Sequence, residues 1–312
     1  MKVTPPISPY GTLSGDLFLY GGGRAAFESA PSQALTNKKL ILLGGLSDGL
    51  MPVPYTEKLQ HCCHENQFSM VQPILSSSYT GFGHGSLDRD CVELQQLMDY
   101  LEAHRCPQEE CDFCLVGHST GCQDIVHFLR VSPPEYRRKI KGFVLQAPVS
   151  DREHAATEEN YDQNLALARE MRASGRADEC MPRSVFWAPI TAKRFLDLQE
   201  KGGNDDYFSS DYTDDEMHER LGHCIMDRQN EINFQRHGLV AFSAADEYVP
   251  DFVDTEALTR RLTRAMNTNV DQKGPCARSI CIPKANHNLS KPESGVDTII
   301  AEIHKLLQDI AN

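Results

Sequence analysis

Residues Phe113 to Arg130, FCLVGHSTGCQDIVHFLR, constrain this chain more than any other stretch. An apolar run ends in Gly117-His118-Ser119-Thr120-Gly121. An amphipathic segment begins at once, with Cys122, Ile125, Val126 and Leu129 on one face. A strand that passes straight into a helix through a G-x-S-x-G turn strains the backbone at serine and lifts its hydroxyl clear of the sheet. The glycines let neighbouring segments pack against the turn. The string alone carries little, because Gly and Ser at about 7% each give about 0.1 chance match in a chain of this size. Gly45-Leu46-Ser47-Asp48-Gly49 matches the same pattern and also follows a strand. There, however, Pro52 and Pro54 disrupt an immediate helix. Ser119 is therefore read as the nucleophile and Ser47 as a loop residue.

The rest of the chain alternates strands with helices, which predicts an α/β fold with a mainly parallel sheet covered on both faces. KKLILLGG, FSMVQPIL, KGFVLQAPV, GLVAFSA and RSICIP read as further strands. YTEKLQHCCHEN suits a helix, and Ser86 to His104 carries Leu94, Leu97, Met98 and Leu101 at helical spacing. Leu258, Leu262, Ala265 and Met266 mark another helix. Val296, Ile299, Ile303, Leu306 and Leu307 mark the last, whose entry Ser290-Lys-Pro-Glu293 has capping-box form. Between Asp151 and about Gln235 the alternation breaks down. The expected organisation is a core of residues 1–150 and 236–312 with a mostly helical cap insertion, 151–235. The acidic run Asp205, Asp206, Asp211, Asp214 and Asp215 is read as a solvated face.

A serine hydroxyl is a weak nucleophile near neutral pH. It needs a neutral imidazole to take its proton and a carboxylate to orient that imidazole. On such an elbow the partners follow in the order Ser, acid, His. Asp246 lies just past the strand GLVAFSA, and His287 just past RSICIP. Strand C-terminal ends are where an open α/β sheet gathers its site. Glu247 and Asp151 are the rival acids, and His118 reads as a packing or hydrogen-bonding residue. The oxyanion donors are expected to be the backbone N–H groups of Thr120 and Leu46, with Ser47 as the alternative to Leu46.

The formal net charge of −13 argues against a nucleic-acid partner. No window approaches 18 consecutive apolar residues, and the N-terminal twenty have no apolar core of leader length. A cytoplasmic protein is expected. Its eleven cysteines would then be free thiols, with Cys111 and Cys114 buried rather than ligating zinc. GFGHGSLDRD lacks the ending of a phosphate loop and reads as a tight strand-to-helix turn. No metal site or cofactor is called for. Phe186, Trp187, Tyr207 and Phe208 are candidate apolar walls of a small-molecule pocket, with Trp187 alternatively anchoring the cap's own core.

Gly117 to Gly121, Asp246 and His287 resemble the α/β-hydrolase superfamily over nearly the whole length. SSSYTGFGHGSLDRD, PITAKRFLDL, NDDYFSSD and DEYVP more narrowly resemble the DUF1749 (UPF0613) family, which includes a fungal fusarinine C esterase. The resemblance implies an α/β-hydrolase fold and serine-dependent hydrolysis of ester bonds in a hydroxamate siderophore, inside the cell, releasing iron for use. Iron would belong to the substrate, held by hydroxamate oxygens. A general carboxylesterase or thioesterase, and a non-catalytic binding protein on the same fold, are the competing readings.

Overall fold

The computed structural model describes residues 10–106, 110–227, 234–268, 270–271, 274 and 276–311. Residues 1–9, part of the stretch read above for a leader, lie outside them. The chain opens with an antiparallel pair, β1 (Asp16–Tyr20) and β2 (Arg24–Ser29). There follow β3 (Lys38–Leu43), α1 (Thr56–Glu65), β4 (Ser69–Pro73), α2 (Leu87–Arg105), β5 (Asp112–His118) and α3 (Gly121–Val131). A short α4 (Pro134–Arg137) leads to β6 (Ile140–Gln146). Next come α5 (Asp151–Ala155), α6 (Tyr161–Ala173), α7 (Ala192–Gln199) and α8 (Asp214–Leu221). The pair β7 (Met226–Asp227) and β8 (Phe234–Gln235) precedes β9 (His237–Ser243). The chain ends with α9 (Thr255–Met266), β10 (Ala277–Ile282) and α10 (Glu293–Ala311).

Eight strands form one sheet in the order β1-β2-β4-β3-β5-β6-β9-β10. From β4 to β10 every pairing is parallel, while β1 and β2 run antiparallel at one edge. The fold is that of an α/β hydrolase.

Strand alternation explains the layers. Ile41, Leu43, Phe113 and Leu115 turn to the face covered by α2, α3 and α9, whereas Leu40, Leu42, Cys114 and Val116 turn to the face covered by α1 and α10. Both sides of each central strand are thus apolar, as a doubly covered parallel sheet requires. Each such side chain, fully buried, contributes about 1.5–3 kcal/mol relative to exposure. Cys111 and Cys114 belong to the clusters on opposite faces, and burial raises both thiols above their ordinary range.

Three local expectations are corrected. Ser290 does not cap α10: the helix starts at Glu293, and the Ser290 hydroxyl instead accepts from Asn286 Nδ2 at 2.8 Å. Asp205 and Asp206 are not solvated but 3% exposed, because each has a buried arginine to neutralise it. Arg194 Nη1 meets Asp205 Oδ1 at 2.5 Å, and Arg152 Nε meets Asp206 Oδ2 at 2.9 Å. Asp211, Asp214 and Asp215 do lie on the surface. Tyr207 and Phe208 do not line the cavity that holds Ser119 and His287. Phe208 is 1% exposed in the core cluster under α3, and the Tyr207 hydroxyl is bound to His127 Nδ1 at 2.8 Å.

The segment between β6 and β9 divides by packing. Leu165, Met171, Met181, Ile190, Phe195 and Leu198 form a cluster of their own with Phe82, whereas Tyr207 through Ile225 join the main core. The glycine-rich loop before α2 docks on this segment: Thr191 N–H donates to the Gly83 carbonyl at 2.9 Å. A Cβ at Gly83 would lie 1.8 Å from the Pro189 carbonyl oxygen, so only glycine fits there.

Candidate active site

Ser119 falls between β5 and α3, as the sequence predicts, with φ of 53°. A left-handed conformation at a non-glycine residue costs of order 1–3 kcal/mol and persists only where its surroundings impose it. Here they do. Ser119 N–H donates to the Gln146 carbonyl at 3.0 Å, and the Ser119 carbonyl accepts from Cys122 N–H at 2.8 Å. The flanking glycines let the turn close: a Cβ on Gly117 would sit 2.4 Å from the Gly121 carbonyl oxygen. A Cβ on Gly121 would sit 2.6 Å from that of Leu43. Ser119 is half-buried, and among the described residues its hydroxyl has no hydrogen-bond partner. It faces a cavity of about 350 Å³ that His287 also lines.

His287 and Asp246 meet from the ends of adjacent strands, β10 and β9. His287 Nδ1 lies 2.7 Å from Asp246 Oδ2. Asp246 Oδ1 accepts from the Tyr248 N–H at 3.0 Å, which fixes the carboxylate. With Nδ1 engaged by an acceptor, the neutral imidazole carries its proton there and leaves Nε2 as the basic nitrogen. Tyr248 packs edge-on against the His287 ring at 4.7 Å between centroids.

The rival acids take other places. Glu247 Oε2 accepts from the His287 backbone N–H at 2.9 Å, so it holds the loop rather than the ring. Asp151 lines the cavity but bonds Gln123 Nε2 at 3.1 Å. Burial first, and then the nearby Asp205 carboxylate, push Asp151 up to about 7.

Ser47, in the second G-x-S-x-G match, belongs to a tight turn in which Asp48 N–H donates to the Gly45 carbonyl at 3.0 Å and Gly45 N–H donates to Asp48 Oδ2 at 2.8 Å. No helix follows until Thr56. Gly45, Leu46 and Ser47 line the cavity beside Ser119. Among the described residues, neither the Leu46 nor the Thr120 amide has an acceptor. Both amides therefore keep a free donor beside Ser119, the kind of group that can stabilise a developing oxyanion.

Gly45 presses on Ser119: an added Cβ would lie 2.7 Å from Ser119 Cβ and 3.2 Å from its Oγ. We expect Gly45→Ala to reduce kcat by about 10²-fold, the scale of one lost oxyanion donor or a misplaced nucleophile. Steady-state kinetics beside a thermal melt test this. An unchanged kcat would show that the loop does not set a position of Ser119 that matters for turnover.

Of the proposed walls, Trp187 alone reaches the cavity. It is 61% exposed at its mouth, 5.7 Å from Phe186 and 5.3 Å from Phe82 between ring centroids. Phe186 packs behind it on the segment's own cluster. Sequence reasoning passed over Asp48, Tyr248 and Gln146. Gln146 was open to notice, since it ends a central strand on the rim where Ser119, Asp246 and His287 gather.

Comparison with known proteins agrees with this fold. The profile of DUF1749, described as a protein family of unknown function, matches residues 3–308. A UPF0613 protein of Schizosaccharomyces pombe is 32% identical over 284 residues, covering 88% of this chain and 87% of its own length. Fusarinine C esterase sidJ of Aspergillus fumigatus is 29% identical over 330 residues, covering 91% and 92%. The solved structure of siderophore hydrolase EstB, also from Aspergillus fumigatus, superposes with a TM-score of 0.79 at 27% identity, covering 97% of this chain and 99% of the other.

Proposed function

The chain belongs to the DUF1749 family and is a hydrolase of ester bonds, and from that premise we propose a serine esterase with Ser119 as nucleophile, His287 as base and Asp246 as orienting acid. The observation that carries this reading is the 2.7 Å contact between His287 Nδ1 and Asp246 Oδ2, on a ring that shares one cavity with Ser119. In the first half-reaction Ser119 Oγ attacks the ester carbonyl carbon while His287 Nε2 takes its proton. The Leu46 and Thr120 amides receive the oxyanion, and the alcohol leaves with the proton from His287. In the second half, water attacks the acyl-enzyme, gives its proton to His287, and the acid is released as Ser119 regains a proton.

The substrate we propose is a hydroxamate siderophore ester such as fusarinine C. The relatives named for fusarinine C esterase and siderophore hydrolase activity support it. Iron enters as part of the substrate, on its hydroxamate oxygens, and is freed once the ligand is cut. Within the 151–235 insertion, the stretch from Leu165 to Leu198 that has its own cluster would act as the cap, with Trp187 at the cavity mouth, over a core of 1–150 and 236–312 that Tyr207 to Ile225 join. A cytoplasmic setting fits eleven cysteines that are all unpaired. No helix among the described residues is long and apolar enough to cross a membrane.

Mass spectrometry of products from ferric and iron-free cyclic hydroxamate esters, with p-nitrophenyl acetate as control, tests the reading. Linear fragments that gain one water per bond are expected. Turnover of the nitrophenyl ester alone would overturn the siderophore assignment, and turnover of neither would overturn the esterase reading.

A further inference from the structure

Gln146 is fully buried at the end of β6, and three parts of the site converge on it. Its backbone carbonyl accepts the Ser119 N–H at 3.0 Å. Its side-chain Nε2 donates to the His287 carbonyl at 2.9 Å. Its Oε1 lies 2.6 Å from His118 Nδ1 and 3.2 Å from the Tyr55 hydroxyl. One residue therefore touches the nucleophile's turn, the loop that bears the base, and the histidine between them.

The pattern fixes protons. A flipped Gln146 amide would set its oxygen against the His287 carbonyl, two acceptors face to face. The orientation with Nε2 toward that carbonyl is the one that satisfies every partner. Oε1 can only accept, so His118 carries its proton on Nδ1 and Tyr55 points its hydroxyl hydrogen at the same oxygen. Burial pushes His118 down to about 3, so the ring stays neutral. This matters because the His118 and His287 rings lie 4.8 Å apart. A second cation there would oppose the positive charge that His287 gains during the reaction.

We infer that Gln146 is a positioning residue: it locks His118 in the Nδ1–H form and ties the His287 loop to the Ser119 turn. This rests on the reading of Ser119 and His287 as nucleophile and base. Among the described residues, the titratable groups around His118 are His287 with its partner Asp246, Tyr55 before α1, and, lining the same cavity, Tyr10, Asp48, Asp151, His154, Glu247 and Tyr248.

Imidazole ¹⁵N spectra of the full chain read the tautomer directly. In the unaltered protein His118 should give the Nδ1–H pattern, unchanged across the neutral range. Gln146→Glu, which supplies a negative acceptor, should make His118 titrate there. Gln146→Met, which removes both side-chain bonds, should lower kcat by about 10- to 100-fold with KM within about threefold, the pattern of a misplaced rather than missing catalytic group. An Nε2–H or charged His118 in the unaltered protein would overturn the inference. So would a kcat within twofold in a folded Gln146→Met. Absence of Ser119-dependent turnover in the unaltered protein would instead strike the esterase reading, because the tautomer is measured without activity.

Discussion

Ser119→Ala is expected to lower kcat by about 10⁴- to 10⁶-fold and to leave the fold standing. The size follows from what is lost: without the hydroxyl there is no acyl-enzyme, and only the oxyanion donors and substrate binding remain to accelerate attack by water. The small structural cost follows from the environment. Among the described residues the hydroxyl makes no hydrogen bond, so its removal strands no partner. The backbone strain at φ 53° stays much the same with alanine, and Ser119→Gly should relieve it. We therefore expect the glycine variant to be as inactive as alanine and to melt at a higher temperature. Calorimetry beside ester turnover checks both. Turnover within tenfold of the unaltered protein in either variant would remove Ser119 from the chemistry.

Asp246→Asn should cost about 10⁴-fold in kcat with little loss of stability. The substituted amide can turn its NH₂ toward His287 Nδ1. The imidazole proton then moves to Nε2, the nitrogen that has to accept from serine. Asp151→Asn serves as the internal comparison. Asp151 shares the cavity, yet its carboxylate bonds Gln123 and is pushed up to about 7 by burial, so it is partly protonated near neutral pH. We expect its asparagine variant to keep kcat within about threefold. A severe loss at Asp151 with a mild one at Asp246 would reassign the acid.

What could be read from sequence was whatever depends on short-range pattern. The apolar strands, the elbow at Ser119, and Asp246 and His287 just past two strand ends all announce themselves locally, and the parallel order of the sheet brings the last two to 2.7 Å. The edge pair β1 and β2 escaped notice because it is five and six residues long and β1 is apolar on both sides, with Leu17 and Leu19 exposed and Phe18 and Tyr20 on the core, so no polar alternation marks it. Asp205 and Asp206 misled because neutralisation by Arg194 and Arg152 is a tertiary fact, the arginines lying 11 and 54 residues away. Tyr207 and Phe208 fall away from the Ser119 cavity for a related reason: an aromatic pair in an insertion fits its wall or the core equally well until packing decides. Gln146 has no motif, since its role needs Tyr55, His118 and His287 to converge from three separate elements.

The account depends on one atom, Ser119 Oγ, becoming covalently bound during turnover. A fluorophosphonate, which mimics the tetrahedral state and traps an activated serine, tests this most directly. Intact mass should rise by a single adduct as ester turnover disappears in proportion. Peptide mapping should place that adduct on Ser119, and trapping should slow sharply in His287→Ala. An adduct on Ser47, or full ester turnover with no adduct anywhere, would contradict it.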